Sequence, residues 1–420
     1  MNSIFTIRLL RDVMTLSKGK PPAQQPYFGS DAEIYLTPEY LRGNSLADTV
    51  KPSLNAVRVF DKETIILWDG SNAGEIFWSK SGILASTMSK ITHTKTFDEK
   101  YFFYAVKNCE SYIKSQTSGS GIPHVDKEIL DKIEIVEFLK PEQSKIAEIL
   151  STVDKAIEQT EALIAKQQRI KTGLMQDLLT KGIDENGNLR SEKTHKFKDS
   201  PLGRIPEEWE VGALGCIVNN GNGSIQTGPF GSQLHAEDYK EIGIPIITVE
   251  HLSEGKILHR NLPLVGDADY KRLMKYSLRE GDLVFSRVGA IDRCSYVSKD
   301  EAGWLFSGRC LRVRSGKSSN SNYLNYQLNY DKARNWILNN SVGSTMACLN
   351  TTILSMTPIF IPTIMEQQRI SEYLDSISDH ITNELLKRLK LYAIKTALMQ
   401  DLLTGKVRVT PLLNNEVENE

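Results

Sequence analysis

The sequence predicts an α+β protein written as one module used twice. Two mixed α/β domains are each followed by a long helix, and the helices pair as an antiparallel coiled coil with pseudo-twofold symmetry. Three observations carry this expectation. A 39-residue segment recurs without a gap, its apolar residues have helical spacing, and the segment before each copy is broken into short β-like runs.

The recurrence runs from Glu142–Thr180 to Glu366–Thr404 at a constant offset, 366 − 142 = 224, with 17 of 39 positions identical. Most of the identity lies in the shared ending IKT-x-LMQDLLT. Upstream, Gly119-Ser120 and Gly343-Ser344 keep the same offset. Fainter matches then follow in the same order: Ile65–Gly70 with Val284–Gly289, Thr37-x-Glu39-x-Leu41 with Thr248-x-Glu250-x-Leu252, and Phe28-Gly29-Ser30 with Phe230-Gly231-Ser232. Collinearity makes the two globular halves diverged copies of one domain.

Both repeats read as helices carrying a heptad seam. Ile146, Val153 and Leu174 form one row of the first copy, with Leu150, Ile157, Ile164 and Leu178 on the other. The second copy has Ile370, Ile377, Leu391 and Leu398, then Leu374, Ile381 and Leu402. Thr160, Gln167, Lys171, Glu384, Arg388 and Lys395 interrupt the seam, which favours pairing between the two copies over a simple homodimer zipper. Pro141 suits a first helical turn, Thr363 and Glu366 have capping-box spacing, and Gly182 and Gly405 stand as C-terminal stops. Each helix would be about 58 Å long at about 1.5 Å per residue. The boundaries that follow are a domain over 1–140, a spacer helix over 141–182 and a polar linker over 183–200. A second domain over 201–364, a second spacer helix over 365–406 and a tail over 407–420 complete the chain.

Within the domains, Thr64–Trp68, Ile244–Val249 and Leu283–Ser286 are β-rich, and Gly203-Arg-Ile-Pro-Glu-Glu-Trp209 marks the start of the second. Alternating long helices of a doubly wound fold are missing, so each domain is expected to hold an irregular sheet.

Charged residues at 25% and hydrophobic ones at 40% describe a globular, cytoplasmic protein. No apolar run approaches the roughly 20 residues of a membrane span, and charges enter the N-terminus too early for a signal peptide. Five scattered cysteines (Cys109, Cys216, Cys294, Cys310, Cys348) include no Cys-x-x-Cys pair and read as reduced thiols. A net charge of −1 disfavours a protein that grips nucleic acid over its whole surface, but leaves room for local basic patches or for a partner that supplies positive field.

One such patch lies in the second half: Lys271, Arg272, Lys275, Arg279, Arg287, Arg293, Arg309, Arg312, Arg314 and Lys317, with Tyr270, Tyr276 and Tyr296 between them. The mixture suits phosphate neutralisation and arginine readout of base edges. The Gly-rich loop Thr227–Gln233, with Gly228, Phe230, Ser232 and Gln233, would bring backbone amides and a side-chain amide close to DNA. Its first-half counterpart starts at Lys18-Gly19-Lys20, and Trp68-Asp-Gly-Ser71-Asn72 closes a strand with groups able to contact bases. Each of these also has a plain structural reading, as a solvated face or a turn.

Catalytic motifs fail on inspection. Gly316-Lys317-Ser318 mimics the end of a phosphate-binding loop, but the required earlier glycine is Leu311. The Gly119-x-Gly121 pair lacks its third glycine, no H-E-x-x-H occurs, and no amino-methyltransferase or nuclease motif is found. No catalytic residue, metal or cofactor is expected.

The arrangement domain, helix, domain, matching helix, together with GRIPEEW at 203–209, GPFGSQL at 228–234, GDLVFSRVGAIDRC at 281–294, ILWDGSNAG at 66–74 and the paired LMQDLLT endings, resembles the specificity subunit of type I restriction–modification systems. The resemblance covers essentially the whole chain; the first half is shorter and poorer in motifs. It implies two target recognition domains, each reading one half of an asymmetric bipartite site in double-stranded DNA. The helices would set the half-site spacing and dock two methyltransferase subunits, which carry S-adenosylmethionine-dependent adenine methylation. Whether two restriction subunits join as well is left open. Lys18, Lys20, Ser71, Asn72, Gly228, Phe230, Ser232, Gln233, Arg287, Arg293 and Arg309 are the DNA-contact candidates. Ile146, Leu150, Val153, Ile157, Leu174, Leu178, Ile370, Leu374, Ile377, Ile381, Leu398 and Leu402 are the helix-pairing and docking candidates. A solitary enzyme and a coiled-coil scaffold that never touches DNA are the competing readings.

Overall fold

A computed structural model describes residues 5–119, 121–230, 233–343 and 347–417. The chain divides into two compact units, Met1–Leu163 with Glu384–Glu420, and Ile164–Asn383. Each unit therefore holds one globular domain, part of the first repeat helix and part of the second.

In the first unit the elements are β1 (Thr6–Leu9), α1 (Leu10–Val13), β2 (Met14–Lys18), β3 (Glu33–Leu36), α2 (Pro38–Leu41), β4 (Asp48–Val50), β5 (Arg58–Val59), β6 (Thr64–Leu67), β7 (Ile76–Trp78), β8 (Gly82–Leu84) and β9 (Met88–His93). Helices α3 (Glu99–Asn108), α4 (Glu110–Ser115) and α5 (Lys127–Asp131), strand β10 (Glu134–Glu137) and the long helix α6 (Lys140–Thr180) follow. Strands order as an antiparallel sheet β2-β9-β6-β7, a mixed sheet β4-β3-β8-β5 and a β1-β10 pair. Strand β6 explains its unbroken apolar sequence: Ile66 packs into a core with α3 and the helix ends, while Ile65 and Leu67 pack into the core of the mixed sheet. A strand covered on both faces needs no polar alternation.

In the second unit, β11 (Phe197–Lys198) pairs with β12 (Ile205–Pro206), ahead of β13 (Glu210–Ala213), α7 (Leu214–Asn220), β14 (Ser224–Thr227), β15 (Tyr239–Lys240), β16 (Ile244–Ile247), β17 (Leu264–Val265), α8 (Asp267–Leu273) and β18 (Asp282–Ser286). Then come β19 (Cys294–Tyr296), β20 (Leu305–Phe306), β21 (Cys310–Arg314), α9 (Ser321–Asn329), α10 (Asp331–Asn340), α11 (Thr351–Met356), β22 (Pro358–Ile361) and the second long helix α12 (Ile364–Leu403). A last helix, α13 (Thr410–Val417), belongs to the first unit.

The second topology repeats the first. Order β14-β21-β18-β19 matches β2-β9-β6-β7, the β13-β22 pair matches β1-β10, and the parallel pairing of β16 with β20 matches that of β3 with β8. Each domain is thus α+β, with two four-stranded sheets and a strand pair in place of the single irregular sheet expected. Central β18 again serves two cores, Leu283 and Phe285 on one face and Val284 on the other. The copies even share a close approach: a Cβ on Gly19 would lie 2.1 Å from the Ala85 carbonyl oxygen, and one on Gly228 would lie 2.1 Å from that of Ser307.

The identical helix starts have a structural reason. Gln143 accepts the Asp98 amide at 2.7 Å and donates to the Phe138 carbonyl at 2.7 Å, and Gln367 repeats both bonds with Asn320 and Pro362 at 2.9 and 3.0 Å. Thr363 caps α12 by accepting the Glu366 amide at 3.3 Å. The capping box is only half realised, because the Glu366 carboxylate turns instead to Arg190, to Trp209 Nε1 at 3.1 Å and to the Ile183 amide at 2.9 Å. Ile183 and Arg190 are therefore buried, so the segment read as a polar linker is partly core. Gly182 (φ 64°) and Gly405 (φ 76°) adopt the left-handed conformation that ends a helix.

Within the first unit the two helices run antiparallel. Ile146, Ala147 and Leu150 share a core with Met399, Leu402 and Leu403, Lys395 Nζ meets Asp154 at 2.5 Å, and Tyr392 donates to Glu161 at 3.0 Å. In the second unit, Leu178 and Leu179 share a core with Ile370 and Leu374. Of the remaining seam residues, Ile157, Ile164 and Ile381 are buried, whereas Val153, Leu174, Ile377, Leu391 and Leu398 are half-buried. Buried Thr160 turns its hydroxyl onto the Ala156 carbonyl at 2.8 Å.

Candidate nucleic-acid interface

Strand register gathers the candidate loops at one end of each antiparallel sheet. Lys18 pairs with Ser89 and Leu67 with Met88, so the loop after β2, the β6–β7 turn and the start of β9 meet. In the second domain Thr227 pairs with Leu311 and Ser286 with Cys310, which joins the corresponding three segments. A short bridged segment closes each cluster: His124 bridges Asp69 and Ser118, and Cys348 bridges Val288 and Val342.

The backbone of the two ends is nearly the same. The Trp68 amide donates to the Thr87 carbonyl at 2.7 Å and its carbonyl accepts from Val125 at 2.9 Å; Arg287 makes the same two bonds, to Arg309 and from Leu349, each at 2.8 Å. The Gly228 amide is bound to the Cys310 carbonyl at 3.1 Å, as that of Gly19 is to Met88 at 2.9 Å. Gly228 is thus a packing glycine whose N–H is already used, which differs from the expectation that it offers an amide outward.

The second domain brings Phe230, Arg287 and Arg309 together around an open groove of about 600 Å³, which Thr248, Glu250 and Tyr239 also line. The Arg287 guanidinium sits 4.7 Å from the centre of the Phe230 ring. Among the described residues, Arg287, Arg293 and Arg309 make no ion pair and no side-chain hydrogen bond. Arg293 is exposed in the β18–β19 turn and does not line the groove. Gln233 faces inward, where its side-chain oxygen accepts from Tyr276 at 2.9 Å. Ser232 lies outside the described residues.

Other members of the basic stretch hold the fold. Arg314 chelates Asp282 at 2.5 and 2.7 Å, and Arg272 meets Asp269 at 2.7 Å. Arg312 is buried; desolvation, with Arg314 nearby, lowers its pKa to about 10, and it donates to Ser224 at 3.1 Å. Lys275 lies over the Tyr276 ring at 5.0 Å.

In the first domain, Lys18 is paired with Asp69 at 2.8 Å, whereas Lys20, Ser71 and Asn72 are exposed without side-chain partners among the described residues. In the sequence Glu250 stands out only as part of the repeat, and His124 and Thr87 carry no local signal. The constant offset of 224, continued back to 118 and 342, was the signal that could have drawn in the bridged segments.

Among the described residues no helix is long and apolar enough to cross a membrane, and no group of three or more His, Cys, Asp or Glu side chains is placed to hold a metal. None of the five cysteines forms a disulfide; burial pushes the Cys310 thiol up to about 12 and that of Cys109 to about 11.

Comparison with known proteins adds a family. The model of the type I restriction modification DNA specificity domain matches residues 2–167 and 206–391, once per half. The MjaVIII specificity subunit of Methanocaldococcus jannaschii is 32% identical over 412 residues, covering 96% of this chain and 92% of that protein. The EcoBI specificity subunit of Escherichia coli is 24% identical over 349 residues, covering 78% and 71%. In fold, the S subunit of a type I system from M. genitalium superposes with a TM-score of 0.62 at 14% identity, covering 96% of both chains. Two family matches placed on two topologically equal halves, with a relative aligned across almost the whole length, lead to one conclusion: this chain belongs to the type I restriction–modification specificity subunits.

Proposed function

We propose that the chain is the non-catalytic, cytoplasmic sequence reader of a type I restriction–modification complex. The recognition domains over 1–140 and 201–364 each read one half of an asymmetric bipartite site in duplex DNA. Helices α6 and α12 pair as an antiparallel coiled coil with pseudo-twofold symmetry, set the half-site spacing and dock two methyltransferase subunits, to which restriction subunits are added in a cleaving system. The observation that carries this reading is a contrast within one chain. The scaffold bonds at Gln143 and Gln367, and at Trp68 and Arg287, are kept, while the side chains at the loop ends differ. A reader of two different half-sites needs a constant frame and variable contacts.

In this reading Lys20, Ser71 and Asn72 serve the first domain, and Phe230, Arg287, Arg293 and Arg309 the second. The exposed apolar positions Leu163, Ile170, Leu386, Leu389 and Ile394 on the helices supply area for partner subunits.

The test is to express the chain with its methyltransferase partner and map modified adenines. A two-part consensus with a fixed gap is expected. Methylation or cleavage by the purified chain alone, given S-adenosylmethionine, ATP, magnesium and DNA, would overturn the non-catalytic role. Partner binding without any sequence preference would support the scaffold reading instead.

A further inference from the structure

We propose that Arg287 reads a guanine in the half-site of the second domain, and that Phe230 is the positioning residue that holds its guanidinium for that contact. The proposal rests on the reading above that this domain engages duplex DNA.

Arg287 leaves the end of β18, a strand whose five residues are all buried. Its backbone amide and carbonyl are both bonded, so its Cα is fixed. Its guanidinium lies 4.7 Å from the Phe230 ring centre, where attraction to the ring restricts it further. Yet it has no acceptor among the described residues. A half-buried, positioned, unspent donor fork is matched to the O6 and N7 acceptors that guanine shows in the major groove.

A phosphate would also accept from arginine, but the same groove contains Glu250. That carboxylate is exposed and makes no ion pair among the described residues. An unneutralised carboxylate disfavours a phosphate and favours base edges, where the amino group of a cytosine can donate to it. The first domain is an internal control. On an equal backbone frame Trp68 replaces Arg287, and Glu39, the counterpart of Glu250, is bonded to Arg42 and to Asn44 at 3.1 Å. The position changes chemistry while the frame stays, as expected of a residue that selects a base.

The test uses the complex of this chain with its methyltransferase, a library of randomised duplexes, and sequencing of the methylated products. R287A is expected to reduce discrimination for guanine about tenfold or more at one position of one half-site. R287Q is expected to move that position toward adenine, whose N6 and N7 fit an amide. F230A should relax the same position and F230Y should restore it, a pattern that a purely structural role would not give. Thermal melting of each variant identifies misfolding, and R287Q keeps enough length to serve if R287A fails to fold. An unchanged consensus in folded R287A and R287Q, or an equal loss at every position of both half-sites, overturns the assignment. If the unaltered complex shows no two-part preference at all, it is the proposed function that falls.

Discussion

Arg408, just beyond α12, donates to both oxygens of Glu142 at the start of α6, through Nη2 at 2.7 Å and Nε at 3.1 Å. The second unit answers with Arg190, beyond the end of α6, on Glu366 at the start of α12. In each case an arginine that follows one helix neutralises the glutamate that opens the other, and both glutamates are buried.

Removing the glutamate of such a pair takes the main compensation from the arginine. E366A leaves Arg190, whose side chain is 7% exposed, with only the exposed Glu208 at 3.1 Å, and also unpairs Trp209 Nε1 and the Ile183 amide. A loss of about 3–5 kcal/mol is expected in the second unit. E142A takes the carboxylate from Arg408, which is 23% exposed, can recover water and also lies over the Phe5 and Phe138 rings, so its cost should be smaller. Denaturant unfolding followed by hydrogen exchange over Ile183 and over the α6 start measures both. An equal or larger loss for E142A would contradict this ranking.

Lys171 and Lys395 hold equivalent places 224 residues apart, over the rings of Tyr326 at 5.8 Å and Tyr104 at 6.0 Å. Asp154 serves the first unit by accepting from Tyr104 at 2.7 Å and pairing with Lys395 at 2.5 Å. The matching residue in the second unit is Ser378, 3.4 Å from the Tyr326 hydroxyl, beside an open cavity of about 440 Å³. D154A should therefore cost about 1–3 kcal/mol in the first unit, and S378A less than about 1 kcal/mol in the second. Unfolding curves for the two variants decide it; similar losses would mean that Asp154 does not anchor Tyr104 and Lys395.

Gly19 and Gly228 admit no side chain, because the added carbon would strike a carbonyl oxygen at 2.1 Å. G19A and G228A should each destabilise their own domain by a few kcal/mol, roughly the cost of forced backbone movement in a packed site. Gly173 is the opposite case: it lies inside α6, meets nothing within 4 Å, and stands where α12 has Ala397. G173A should raise helix stability by about 0.5–1 kcal/mol. Melting temperatures check both directions, and a destabilising G173A would show that this helix position is conformationally special.

If α6 and α12 set the gap between half-sites, inserting one heptad in each adds about 10 Å of rise. At about 3.4 Å per base pair the preferred gap should lengthen by roughly three base pairs. Methylation mapping of the lengthened complex provides the measurement. An active complex with the original gap would remove the helices as the spacing element.

The sequence by itself determined the duplication, the two long helices, the short strands and the family. These follow from local patterns: heptad spacing along Ile146–Leu178 and Ile370–Leu402, glycine stops at 182 and 405, and apolar runs at 65–67 and 283–285. Backbone geometry converts such patterns directly into helices and strands. The tertiary structure alone decided which cations are free. Arg287, Arg309 and Arg314 look alike in sequence, but Arg314 faces Asp282 across a strand pair, while Arg287 and Arg309 meet in an open groove. Lys18 is likewise consumed by Asp69, and the apparent linker is pulled into the core because Glu366, 176 residues beyond Arg190, needs its charge met. An ion pair depends on where two distant segments meet, and one-dimensional spacing does not contain that distance.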